Sequence, residues 1–328
     1  MTSSKLRIVL PGGSGHIGTM LARHFHRIGH AVTVLSRSPQ AAPWRSVIWN
    51  AITTGDWVDE LEGADVCINL TGRSVNCRYG AANRKEIYDS RIESTRLLGE
   101  VIGSLKIPPR VWFNSSTATI YRHSLDTPMD EVTGELGGNE DGAPDTWNFS
   151  NRVAKDWEAA FFAAPTPRTR KVALRSAVTF SADPVDDKGS VFNVLSNLVR
   201  LGMGGTNGIG DQMVSWVHGQ DFLRAVDFLI AKESVSGVVN IAAPNPLQNH
   251  DFMRELRQAW GIPIGLPAPA WLIEIGCFFL RTESELVLKS RYVLPGRLQQ
   301  AEFQFLHPNW PAAAADLVSQ WRKGTPLS

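Results

Sequence analysis

Residues 6–18, L-R-I-V-L-P-G-G-S-G-H-I-G, run an apolar strand straight into a glycine-rich turn that opens a helix. In such a turn Gly12, Gly15 and Gly18 permit a tight reversal, a close backbone approach to a pyrophosphate, and close packing of helix on strand. The helix start adds unpaired N–H groups and the positive end of a dipole. The turn follows a strand at 6–10 and precedes an amphipathic stretch at 17–30, with apolar Ile17, Leu21, Phe25 and Ile28 at helical spacing. The expectation is a dinucleotide site in which Gly12, Ser14, Gly15, His16, Ile17 and Gly18 cradle the phosphates.

Downstream, apolar and β-branched segments at 31–36, 46–49 and 65–70 read as buried parallel strands. A helical pattern over 83–104 leads to a strand at 110–114, and another over 151–163 leads to a strand at 171–176. This alternation predicts an α/β fold: a Rossmann-type doubly wound parallel sheet with right-handed crossovers and a ligand crevice at the carboxyl ends of the strands. Past residue 176 the pattern loosens. A helix near 191–201, a glycine-rich stretch at 202–210, a strand at 213–218, a helix at 221–231 and a strand at 238–241 complete the sheet. The remainder is punctuated by Pro244, Pro246, Pro263, Pro267, Pro269, Pro295, Pro308 and Pro311 and reads as mainly helical. We expect a nucleotide-binding domain over 1–241, with 177–212 contributing to the substrate side, and a small helical substrate lobe over 242–328.

Composition narrows the partners. A chain of 328 residues with 33 Lys plus Arg against 32 Asp plus Glu carries no field that favours nucleic acid or an anionic membrane. Cys67, Cys77 and Cys277 are few and scattered, which fits free thiols in a reducing compartment better than disulfides or a zinc site. The N-terminus lacks an apolar signal region, and the longest apolar run, 271–280, contains Glu274 and is too short to span a bilayer. The expectation is a cytoplasmic protein, monomer or homodimer, that binds a small-molecule substrate and needs no metal.

The end of the second strand discriminates between dinucleotides. A carboxylate there would bond an unphosphorylated ribose, but the residues are Ser36, Arg37 and Ser38, and no acid occurs before Asp56. Arg37 can instead make charge-assisted contacts to a 2′-phosphate, with Ser36 or Ser38 assisting. NADP (NADPH) is therefore the expected cofactor.

The segment N-S-S-T-A-T-I-Y at 114–121 resembles the S-S-S-A-T-V-Y segment of extended short-chain dehydrogenases, where a Ser or Thr polarises the substrate oxygen. Thr117 matches that position, with Ser115 beside it toward the cofactor. The superfamily places a general acid/base Tyr four residues before a ribose-binding Lys. Here Lys155 stands at the Lys position, while the Tyr position is Asn151, whose amide has no proton that titrates near neutral pH. Asn151 then faces substrate without replacing the tyrosine. Tyr121, His123 and His218 are the available proton carriers.

Further segments complete a pattern: I-N-L-T-G at 68–72, R-K-E-I-Y-D-S-R at 84–91, W-E-A-A at 157–160, V-S-W-V-H-G-Q-D at 214–221, N-I-A-A-P-N-P at 240–246 and R-Y-V-L-P-G-R-L at 291–298. Together they resemble an atypical group of extended short-chain dehydrogenase/reductases, the NAD(P)-dependent epimerase family with a C-terminal domain of unknown function. The resemblance implies NADP binding, a substrate lobe completed by the C-terminal segment, and absence of the Tyr-x-x-x-Lys pair as usual for the group. It places Asn69, Leu70, Thr71 and Gly72 under the adenine ribose and pyrophosphate. Arg84, Lys85 and Arg91 either reach an anion or form a solvated helix face, Trp216 either lines the substrate pocket or joins the core, and Asp221 reads as a helix N-cap. The functional expectation is an NADP-dependent oxidoreductase or epimerase acting on a hydroxyl or carbonyl substrate; the competing reading is a non-catalytic NADP(H)-binding redox sensor. A sugar-nucleotide enzyme would add a diphosphate-binding Arg, for which Arg281, Arg291 and Arg297 are candidates.

Overall fold

The structure is a computed structural model, and residues 5–38, 41–182, 190–280 and 283–324 are described. In chain order the strands are β1 (Arg7–Pro11), β2 (Ala31–Ser36), β3 (Arg45–Ile48), β4 (Val66–Asn69), β5 (Val111–Thr117), β6 (Arg170–Ser176), β7 (Val178–Phe180), β8 (Met213–Val214), β9 (Trp216–His218), β10 (Gly237–Ile241) and β11 (Leu247–Gln248). The helices are α1 (His16–Arg27), α2 (Val58–Leu61), α3 (Ala81–Ser104), α4 (Asp145–Ala163), α5 (Val191–Arg200), α6 (Gly219–Ala231), α7 (Asn249–Trp260), α8 (Ala270–Leu280), α9 (Glu285–Leu288), α10 (Gly296–Gln300) and α11 (Trp310–Lys323). Seven strands form one parallel sheet in the order β10-β6-β5-β4-β1-β2-β3. The order reverses direction between β1 and β4, and that is the switch point where doubly wound sheets bind ligands.

Period-two alternation builds two cores from the same strands. Ile8 and Leu10 of β1 and Phe113 of β5 pack with Leu21 and Phe25 of α1 and with Phe222 and Val226 of α6. Val9 and Trp112, pointing the other way, pack with Leu98 and Ile102 of α3 and Phe161 of α4. Each such fully buried large side chain contributes about 1.5–3 kcal/mol of transfer free energy. A third core joins β7 and β9 to α5, α7 and α11, where Trp310 stacks on Phe252 at 4.0 Å.

Differences from the sequence reading have local causes. The strand expected over 213–218 divides at Ser215: β8 pairs antiparallel with β11, and β9 pairs parallel with β7. The Ser215 hydroxyl donates to the Arg291 carbonyl (2.6 Å) and accepts from Val293 N (2.8 Å), which turns the chain there. Helix α6 starts two residues before Asp221, because His218 is its cap and accepts from Gln220 N through Nδ1. The buried Asp221 carboxylate instead accepts from Leu306 N and His307 N, so it anchors the C-terminal segment. Helix α4 begins at Asp145, directly after Pro144, whose fixed φ suits the first turn.

The chain beyond β10 is laced back onto the sheet. Met129 N donates to Tyr292 O and Leu294 N to Met129 O; Asn240 N donates to Glu131 Oε1, and the Asn240 amide donates to Leu294 O. Arg297 donates to Ser236 O, and its guanidinium lies against Gly237. Among the described residues no helix is long and apolar enough to cross a membrane.

Candidate functional site

The glycine turn sits at the carboxyl end of β1. Gly12 has φ +73°, and a Cβ there would come within 2.7 Å of the Thr71 backbone. A Cβ on Gly18 would collide with the backbone of Gly13, so this glycine lets helix α1 close onto the turn. Gly15 differs: its Cβ would meet only Gly12 O, at 4.0 Å, and would project into open space. Gly15 is also the N-cap of α1, with no side-chain cap, which leaves the N–H groups of the first turn for a ligand. Thr71 Oγ1 is buried next to this turn without a hydrogen-bond partner among the described residues. An open cradle, an uncapped helix start and an orphaned hydroxyl fit a dinucleotide pyrophosphate. Gly15→Ala is expected to leave stability within about 0.5 kcal/mol while weakening NADPH binding about tenfold or more, a loss of about 1.4 kcal/mol or more. Gly18→Ala is expected to cost about 1–3 kcal/mol of stability by overpacking. Thermal melts and a fluorescence titration with NADPH separate the two effects.

At the end of β2, buried Ser36 bonds Ser14 Oγ at 3.0 Å and accepts from Ser38 N, so its hydroxyl braces the glycine turn. Arg37 and Ser38 are exposed, and among the described residues Arg37 has no ion-pair or hydrogen-bond partner. On β4, Asn69 is fully buried; its amide donates to Asn114 Oδ1 (2.7 Å) and Thr95 Oγ1, and its oxygen accepts from Thr71 N. Asn69 therefore shapes the backbone at Leu70–Thr71 from below. Gly72 lies under Arg91, whose Cζ would be 3.0 Å from a Cβ placed there. Arg91 stacks on Trp157 at 5.2 Å, and loss of solvation pulls its guanidinium down to about 10, so it is no freely solvated helix cation. Arg84 bonds Asp145 and Tyr79 O, and Lys85 pairs with Asp89.

The carboxyl end of β5 carries the second half of the site. Thr117 is half-buried, and its Oγ1 accepts from Thr119 N (3.1 Å), which leaves the hydroxyl proton free to donate. Asn151 of α4 is fully buried, its Nδ2 without a partner among the described residues. Lys155, one turn on, lies beside Gly138, where a Cβ would be 3.5 Å from its Nζ. Unexpected from sequence is Lys289, which follows α9. Its side chain has no exposed surface, and its Nζ donates to Thr119 O (2.9 Å) and Asn151 Oδ1 (3.3 Å), with Glu285 Oε1 at 3.8 Å. Burial and then Arg291 lower its pKa to about 8. The only sequence signal was the spacing Glu285–Lys289, which reads as an ordinary exposed i,i+4 pair.

A folded-state pKa of about 8 against about 10.4 unfolded has a definite sign. The unfolded chain binds more protons in that interval, so the cost of burying this ammonium is full below pH 8 and fades as pH rises toward about 10.4. The stability of wild type relative to Lys289→Met is therefore expected to rise between about pH 8 and 10; a flat difference in denaturation midpoint would exclude a depressed Lys289.

Two expected site residues are packed among interior side chains. The Tyr121 phenol is buried, accepts from Arg175 Nη1 (2.9 Å) and donates to Asn240 Oδ1 (2.9 Å), and burial pushes its pKa up. It is a member of a buried network with Ser116, Glu158 and Arg175. Trp216 is fully buried in the third core against Trp310, its Nε1 on Asn245 O, and faces that core instead of a cleft. His218 is also fully buried, stacked on His307 at 3.8 Å and 3.2 Å from Asp316. His123 lies nearer the site: Nδ1 accepts from Ser290 N, the ring stacks on Trp147, and burial and then Lys289 lower its pKa. Arg291 packs on Thr119 Oγ1 and Glu285 O, whereas Arg297 serves β10; Arg281 lies outside the described residues.

Comparison with known proteins agrees with this architecture. Residues 8–242 match the model of the NAD dependent epimerase/dehydratase family, and residues 268–317 match a domain of unknown function, DUF1731. The chain is 31% identical over 318 residues to the epimerase family protein SDR39U1 of Bos taurus, covering 96% of this chain and 100% of that one. It is 28% identical over 313 residues to the epimerase family protein SA0724 of Staphylococcus aureus, covering 95% and 99%. The crystal structure of human SDR39U1 (isoform 2) with NADPH superposes with a TM-score of 0.82 at 27% identity, covering 96% of this chain and 99% of that one. A UDP-N-acetylglucosamine 4-epimerase from Bacillus cereus, at 17% identity and a TM-score of 0.73 over 97% and 100%, shares the fold. With both segments matched in order and a Rossmann-like sheet in the first, the chain belongs to the NAD-dependent epimerase/dehydratase family and carries its C-terminal DUF1731 segment.

Proposed function

We propose that this protein is an NADP(H)-dependent oxidoreductase or epimerase acting on a small hydroxyl or carbonyl compound, with Gly12, Gly15, Gly18, Thr71 and Arg37 on the cofactor and Thr117 on the reacting oxygen. The observation that carries the reading is the open cradle at Gly15 combined with the exposed Arg37 at the end of β2. The human relative crystallised with NADPH supports the same choice. When bound, the nicotinamide supplies or accepts the hydride. The chain's own residues orient and polarise: the uncapped start of α1 holds phosphate, Lys155 reaches the ribose, and the Thr117 hydroxyl donates to the substrate oxygen. The free cysteines support a reducing compartment such as the cytoplasm, and the near-zero net charge supports a small-molecule partner.

The test pairs NADPH binding, read by fluorescence, with turnover across panels of carbonyls with NADPH and alcohols with NADP. Thr117→Ala is expected to lower turnover about 100-fold with NADPH affinity unchanged. Tight NADPH binding without turnover on broad panels would favour instead a redox sensor, a reading that rests on Asn151 at the place where the superfamily keeps its titratable group.

A further inference from the structure

Position 151 lacks a titratable proton, yet the structure brings one to it from the far end of the chain. Nζ of Lys289 is held between the Thr119 carbonyl and the Asn151 amide oxygen, two residues beyond Thr117 and one helical turn before Lys155. The ammonium has three donors, of which these oxygens take two. The Asn151 Nδ2 is left without a partner among the described residues, so the amide presents its oxygen to Lys289 and gains nothing else by its orientation. Gly137 and Gly138 cover this niche: a Cβ on the first would lie 2.8 Å from Asn151 Nδ2, and one on the second 3.1 Å from Asn151 Cβ.

We propose that Lys289 is the proton carrier of this site, taking through Nζ the place of the tyrosine hydroxyl that position 151 does not provide. The proposal rests on the oxidoreductase reading above. In reduction, the carbonyl carbon gains a hydride from NADPH, its oxygen keeps the π electron pair and takes a proton from the Lys289 ammonium, and a neutral amine remains. In oxidation, the neutral amine takes the hydroxyl proton as hydride leaves to NADP. The charged groups facing Nζ are Glu285 and Arg291 from its own segment, Glu140 from the loop before α4, and Lys155 from α4, with titratable His123 beyond. Burial and these cations outweigh the two carboxylates, and a pKa of about 8 lets the group both give and accept a proton near neutral pH.

A proton carrier must lie near the nicotinamide, so its titration must feel the ring's charge, positive in NADP and neutral in NADPH. The full-length protein labelled with ¹³C-lysine is titrated by NMR in each complex, and the Lys289 signal is assigned by its absence from Lys289→Met, or from Lys289→Arg where the methionine variant does not fold. We expect a midpoint with NADPH well below the value of about 10.4 at which exposed lysines titrate, and a further fall of about half a unit or more with NADP. Titration of Lys289 with the exposed lysines, or equal midpoints in the two complexes, overturns the proposal and leaves the oxidoreductase reading standing. Absence of binding of either cofactor form, read separately by fluorescence, overturns the oxidoreductase reading and this assignment with it.

Discussion

Arg37→Glu is expected to weaken NADPH binding by about 100-fold or more and to leave NADH binding nearly unchanged. Hydrogen bonds to an ionised partner contribute about 1.5–3 kcal/mol each, and the substitution replaces that attraction with repulsion between a carboxylate and the 2′-phosphate. Losing two such bonds exceeds the roughly 2.7 kcal/mol that a 100-fold change requires. The fold has no stake in the change, because Arg37 is exposed and bonds no other described residue; the melting temperature should stay within the range of ordinary surface substitutions. The ratio of NADPH to NADH affinity is the quantity to measure. An equal ratio in wild type and variant would remove Arg37 from the cofactor site, and a fall in both affinities would mean that the loop had been disturbed instead.

Glu158→Ala should act on stability where Arg37→Glu acts on binding. Glu158 receives Arg175 through two bonds, Nε to Oε1 at 2.8 Å and Nη2 to Oε2 at 2.7 Å, and it also accepts from Ser116 Oγ. Both charges are buried, in the layer between β5, β6 and α4. Removing one partner strands the guanidinium without compensation, and the cost is about 3–5 kcal/mol, a large part of the roughly 5–15 kcal/mol that holds a domain together. Glu158→Gln should cost less, since an amide oxygen still accepts from Arg175. A double replacement by apolar residues of similar volume, Glu158→Leu with Arg175→Met, should recover most of the loss, because it removes the charges that must be desolvated. Denaturant unfolding of the three variants gives the comparison. A loss of under about 1 kcal/mol for Glu158→Ala would mean that water reaches the pair.

Much of this architecture was legible in the chain because the central parallel strands β1 and β4 are buried on both faces and write themselves as nearly unbroken apolar runs. Ile8, Val9 and Leu10 all had to be apolar, since two cores meet at β1. The cofactor half of the site was legible for a similar reason: glycine is informative where a Cβ cannot fit, and Gly12 and Gly18 have backbone within 3 Å of that position. Side chains were harder. Tyr121 and Trp216 are residues that serve cores and clefts equally well, and only their surroundings decide; both turned inward. Asp221 sat near a helix start, but the His218 ring took the cap first. Lys289 was invisible because Asn151, which gives it meaning, is 138 positions away, and nothing in local spacing tells a buried lysine from a solvated one.

The Asn240–Glu131 bond has a consequence for how copies of this protein can meet. β10 and β3 are the two outer strands of the sheet, where unpaired backbone groups invite another strand to add on. Along β10 that invitation is withdrawn: Glu131 takes the Asn240 N–H, and Arg297 lies across Gly237. β3 has only four residues, with Ile48 exposed at its end and Arg45 held by Glu60. Growth of the seven-stranded sheet from one copy into the next is thus closed on one side and confined to a short, charged edge on the other.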